Sequence, residues 1–133
     1  MNETNISRAL RARLKTMIPA YPILYENQDK PDTMTRPYLA VQMVRVSRRN
    51  TTINGSGGVM ARGFMQVTVV ADLDQFSGPA ETIADNIAAH FPKALRLTDD
   101  TGAVTVLDAP NIMQAMRDES DWRVSVQIDY WAS

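Results

Sequence analysis

The order of apolar and polar positions divides the chain into two helices and a series of strands. Ile6, Leu10, Leu14 and Met17, with Ala9 beside them, recur at the interval of one helical face. That spacing predicts an amphipathic helix over residues 4–18, capped by Asn2 or Thr4. Pro19 should end it, because the residue before a proline is pushed out of the α region. Residues 22–25 read as a short edge strand, where Pro22 is tolerable. Residues 26–37 are polar, hold Pro31 and Pro37, and read as a loop. Residues 38–47 form a strand with Leu39, Val41 and Met43 on one face and Tyr38, Ala40, Val44 and Val46 on the other. Apolar residues on both faces predict a strand covered twice, by a helix and a further layer or by a neighbouring subunit.

Residues 48–58 are polar and glycine-rich, and predict a long connection. It leads to a strand over residues 60–73, antiparallel to the first if the connection is a hairpin. Connections of this length are functional or order on binding. A turn over residues 72–77 precedes a second helix, residues 78–91. Ser77 or Gly78 would cap it, Pro79 suits its first turn, and Glu81 lies near the positive end of the dipole. Ala80, Ile83, Ala84, Ile87, Ala88 and Phe91 give it a narrow face of small residues, and Pro92 closes it. Leu97, the turn Asp99-Asp100-Thr101-Gly102 and residues 103–107 read as a hairpin. Residues 111–116 suggest another short strand, and residues 118–121 an acidic turn. In the last strand Trp122, Val124, Val126, Ile128 and Tyr130 point inward, with Arg123, Ser125, Gln127 and Asp129 outward.

Composition narrows the class without naming a function. The 133 residues suit one core, and 44% hydrophobic with 22% charged residues is ordinary for a globular α+β protein. A net charge of −1 gives no global attraction to nucleic acid or to an anionic membrane. With no cysteine there is no disulfide, thiolate metal site or cysteine nucleophile. No apolar run approaches the roughly 20 residues of a membrane span. The polar start, without an apolar segment behind it, predicts a chain that is made in a cytoplasm and stays soluble.

The candidate chemistry is thin. His90, at the end of the second helix, has no nucleophile or second base placed by motif near it, so a capping or surface role is expected. One histidine and scattered carboxylates make no metal-ligand pattern, and no cofactor is expected. Asp72 and Asp74 flank a strand end, where turn and capping roles outweigh catalysis. The glycines of Asn54-Gly55-Ser56-Gly57-Gly58 open into a strand without a following lysine, which rejects a phosphate-cradling loop. Arg8, Arg11, Arg13 and Lys15 make either a solvated helix face or a contact face for an acidic partner. Arg36, Arg45, Arg48, Arg49 and Arg62 cluster in sequence around the long loop. They read as a solvated loop base, a protein contact or a phosphate grip, the last weakened by the scarcity of aromatics for stacking bases.

A whole-chain resemblance supplies what the chemistry does not. Residues 37–41 (Pro-Tyr-Leu-Ala-Val) open a strand, and the approach from Gly57-Gly58 to Phe64 leads into Met65-Gln66-Val67-Thr68-Val69. The helix ending in Phe91-Pro92 and the alternating strand from Trp122 to Tyr130 follow. This series resembles the tail terminator, or tail completion, proteins of long, non-contractile-tailed bacteriophages and their prophage relatives. The resemblance implies one domain over residues 1–133, an antiparallel sheet packed by two helices with a long glycine-rich hairpin loop. It implies a non-enzymatic virion protein at the head-proximal end of the tail, assembling with itself as a hexameric ring. Such a ring stops growth of the tube, so its partners are the major tail-tube protein and the head-tail connector protein.

No residue-level motif carries over, so the interface is inferred from the loop. Arg48, Arg49, Asn50, Thr51, Thr52, Ile53, Asn54, Gly55, Ser56, Gly57 and Gly58 form the expected assembly arm, flanked by Arg45 and Arg62. Eight methionines suit surfaces that must adapt on assembly. The alternatives are a head-tail connector or head-completion protein, a small enzyme without its usual constellation, and a nucleic-acid-binding phage protein.

Overall fold

The computed structural model describes residues 2–26, 28–50, 59–72, 78–119 and 121–133. Helix α1 (Glu3–Lys15) starts where Asn2, in an extended conformation, accepts a hydrogen bond from the Asn5 amide at 2.9 Å. Ile6, Leu10 and Leu14 are buried, one turn apart. The helix ends three residues earlier than Pro19 suggests. Thr16 turns its amide and its hydroxyl back to the Arg13 carbonyl, and that local bonding competes with a further helical turn.

Among the described residues eight strands form one sheet, six of them in the order β1-β2-β3-β8-β5-β4 and two, β6 and β7, paired to β8 off that path. These are β1 (Ile23–Leu24), β2 (Tyr38–Asn50), β3 (Val59–Asp72), β4 (Arg96–Asp99), β5 (Gly102–Val106), β6 (Asn111–Ile112), β7 (Met116–Asp118) and β8 (Asp121–Ala132). Pairing is antiparallel except at β1, which the intervening loop returns parallel to β2. On the edge of β8 away from β3 lie β5, β6 and β7 in series. Residues 111–116, expected as one strand, are split between β6 and β7. The step from Ile112 to Met116 is one residue longer than the facing step from Val126 to Arg123, which breaks the ladder.

Helix α2 (Gly78–His90) buries Ala80, Ile83, Ala84 and Ile87, with Phe91 behind them, against β8 and β3. α1 lies along β4 and β5. Met65, Val67, Val69, Val124, Val126, Ile128 and Tyr130 lie in the core as the period-two pattern requires, together with Leu39, Val41 and Met43 of β2 and Val104 and Val106 of β5. The turn over residues 73–77 and the Ser77 cap fall outside the described residues.

Two expectations for β2 change. Its strand continues through Arg48, Arg49 and Asn50, because backbone pairing with β3 persists after a register shift between Arg45 and Ser47. Polar side chains do not prevent a strand whose partner is in place. The second face of β2 is covered mainly at its Tyr38 end, where Tyr38 and the facing Val70 are buried. Ala40 and Val44 are half-buried, and Val46 is 63% exposed.

Candidate assembly surface

Beyond Ala61, the last β3 residue paired to β8, β2 and β3 continue as a two-stranded ribbon. The inferred arginines sit on and below it. Arg45 and Arg48 are three residues apart, which in a regular strand puts side chains on opposite faces. Here the register shift inserts Val46, and both arginines reach the same carboxylate. Arg45 Nε lies 3.2 Å from Glu3 Oε2, and Arg48 Nη1 lies 3.3 Å from Glu3 Oε1. Glu3 is in the first turn of α1, so the helix start anchors the base of the ribbon.

Arg49 faces Met60, and Arg62 faces Ser47 and Trp131. Alternation from the buried Ala61 places Arg62 on the sheet face away from the helices. Asn50 faces Val59 at the last described pair. Thr51, Thr52, Ile53, Asn54, Gly55, Ser56, Gly57 and Gly58 lie outside the described residues. Arg36 does not join this group. It sits at the other end of β2, 3.5 Å from Asp72 Oδ1 and paired also with Asp121.

The ribbon base is tightly packed. Gly63 faces Tyr130 across the ladder, and a Cβ there would strike the Val44 carbonyl oxygen and lie 2.8 Å from the Tyr130 hydroxyl. The Tyr130 pKa is pushed up to about 12, first by burial and then by the Glu3 carboxylate, with Arg45 opposing.

Two features, at Glu3 and Tyr25, carried no signal in the sequence, and the role expected of His90 takes a specific form. Nothing in the sequence singles out Glu3, and its pairing with Arg45 and Arg48 depends on tertiary placement. Tyr25, in the segment after β1, lies beneath Arg11 and Lys15, at 5.1 and 5.6 Å from the ring centre. His90 joins the two helices: its Nε2 is 2.8 Å from both the Thr16 hydroxyl and the Arg13 carbonyl, and Arg13 Nε donates to the His90 carbonyl at 3.0 Å. The histidine thus has the capping role expected of it, joining the Thr16 amide and hydroxyl at the Arg13 carbonyl that ends α1. Among the described residues no group of three or more histidines and acids is placed to hold a metal ion. No described helix is long and apolar enough to cross a membrane.

A family model for the phage tail terminator protein matches residues 5–130. Nine solved chains match as well. One of them, whose name carries no functional description, superposes with a TM-score of 0.79 at 24% identity, covering 100% of this chain and 96% of the other. At that identity the likeness speaks for the fold alone. No curated protein matches the chain significantly.

Proposed function

The chain belongs to the phage tail terminator protein family, and from that premise we propose that this structural phage tail protein caps the tail tube as a ring of identical copies. In this role it ends tube polymerisation and presents the surface that joins the head. The match over residues 5–130 carries the reading. The end of the β2–β3 pair, beyond the reach of β8, adds physical support. A two-stranded ribbon has unpaired backbone edges, and this one, with Arg49 and Asn50 on β2 and with Arg48 and the exposed Val46 at its base, suits a partner that covers both charge and apolar surface. The arm from Arg48 to Gly58, flanked by Arg45 and Arg62, is the proposed contact with a neighbouring copy or the end of the tube. The major tail-tube protein and the head-tail connector are the proposed partners. No catalytic step is assigned to the protein.

Deleting the gene in its parent phage or induced prophage and imaging the lysate by negative-stain electron microscopy tests this. Overlong tubes beside unattached, filled heads are expected. Normal-length tails without heads would move the function to a head-tail connector. Ordinary infectious particles would remove the structural reading.

A further inference from the structure

We propose that the basic stripe of α1 docks on the acidic stripe of α2 in a second copy of this chain. The inference rests on the reading that copies assemble, and it names the surfaces that meet. α1 turns Arg8, Ala12 and Lys15 to solvent, with Arg11 half-buried beside them. Arg8, Arg11, Lys15 and Arg45 line an open groove of about 580 Å³ whose wall includes Tyr25 and one carboxylate, Glu3, which is paired with Arg45. The tyrosine face holds the Arg11 and Lys15 cations together, where two like charges one turn apart would otherwise repel. Arg11 is paired with Glu26 at 3.3 Å. Among the described residues no ion pair forms at Arg8 or Lys15, although Arg8 shares a second groove with Asp99 and acts on that carboxylate through space.

α2 presents the converse. Glu81, Thr82, Asp85 and Ala89 are exposed. Among the described residues neither Glu81 nor Asp85 has an ion pair, within its own copy or with the α1 stripe. Two carboxylates one turn apart on a bare helix face repel each other, and cations brought against them relieve that repulsion. The spacings agree. Glu81 and Asp85 are four residues apart, as are Arg11 and Lys15, so each pair is separated by about 6 Å along its helix. Ala12 on one stripe and Ala89 on the other are small enough for close approach of the two helices. The surfaces differ, so the contact is heterologous, and a contact of that kind can repeat around a closed ring.

The absence of native cysteine makes the test direct. Two single variants, Ala12→Cys and Thr82→Cys, change exposed positions and leave every charge in place. The two purified chains are mixed at low salt and treated with a short bis-maleimide, alongside each chain alone. Mixing Ala12→Cys with Gln66→Cys, on the other face of the sheet, gives the background. Two or three exposed ion pairs should give the Ala12–Thr82 mixture roughly fivefold more cross-linked dimer than any control. The excess should vanish near 0.5 M salt, where screening is nearly complete at contact range. A yield equal to the Gln66 background overturns the contact. The gene deletion is read separately. Overlong tails without a preferred cross-link leave the terminator reading standing and remove this interface. A preferred cross-link with ordinary particles keeps the interface and removes the terminator.

Discussion

Replacing Gly63 by alanine sets two effects of opposite sign against each other. Alanine restricts the unfolded chain, which stabilises a protein by about 0.4–1 kcal/mol wherever the native backbone accepts it. At Gly63 the new Cβ meets the Val44 carbonyl oxygen across the ladder, and lies 2.8 Å from the Tyr130 hydroxyl and 3.2 Å from its Cζ. The carbonyl is backbone held between two strands, and Tyr130 is fully buried, so neither yields cheaply. Forcing a carbon into packed surroundings costs about 1–3 kcal/mol. Steric cost therefore wins, with an expected net loss of about 1–2 kcal/mol. For a urea slope of about 2 kcal/mol per molar, the unfolding midpoint falls by roughly 0.5–1 M. Tryptophan fluorescence reports it, since Trp122 and Trp131 both lie on β8, which pairs with β3. Repeating the change in a Tyr130→Phe background divides the two obstacles. Whatever loss persists belongs to the carbonyl, and whatever disappears belongs to the hydroxyl. A midpoint at or above that of the parent protein would refute the reasoning.

Phe91→Ala should cost about 3–5 kcal/mol, because a fully buried aromatic side chain at the end of α2 leaves a cavity against the core; thermal unfolding checks it. The raised Tyr130 pKa means that the unfolded chain ionises first, near the ordinary value of 10.0, so stability falls as pH rises from there toward about 12. Tyr130→Phe should flatten that decline, as measured by urea midpoints across the range. The Asp99 pKa is lowered, first by the Thr101 hydroxyl and then by the Thr101 amide. Its contribution is therefore present above the ordinary carboxylate range and lost as pH falls. Thr101→Ala should move the Asp99 titration back upward, read by carboxyl NMR shifts.

Periodic segments were legible in the sequence wherever a single buried face imposed the pattern. α1 buries Ile6, Leu10 and Leu14 and β8 buries Val124, Val126 and Ile128 as their spacing requires. Failures came where a partner strand decided the outcome. Arg48, Arg49 and Asn50 look like loop residues by composition and are strand because β3 continues to pair with them. The register shift beside Val46 is invisible in sequence, yet it puts Arg45 and Arg48 on one carboxylate. Proximity along the chain also misled for Arg36, since an extended strand carries its two ends far apart. Of the candidate arm, its base was identifiable as basic, while the Glu3 anchor depended on contacts between distant segments.

The position of β8 has a consequence for when the protein becomes usable. This strand is the shared neighbour of β3, β5, β6 and β7, and it follows all of them along the chain. A nascent chain that has reached β7 owns the β2–β3 hairpin but lacks the strand that completes its flank. Its long-range pairings must wait until β8 has been made. Chains stalled or clipped ahead of β8 therefore lack the strand that joins the two halves of the sheet, so a fragment of this kind cannot reach the native fold.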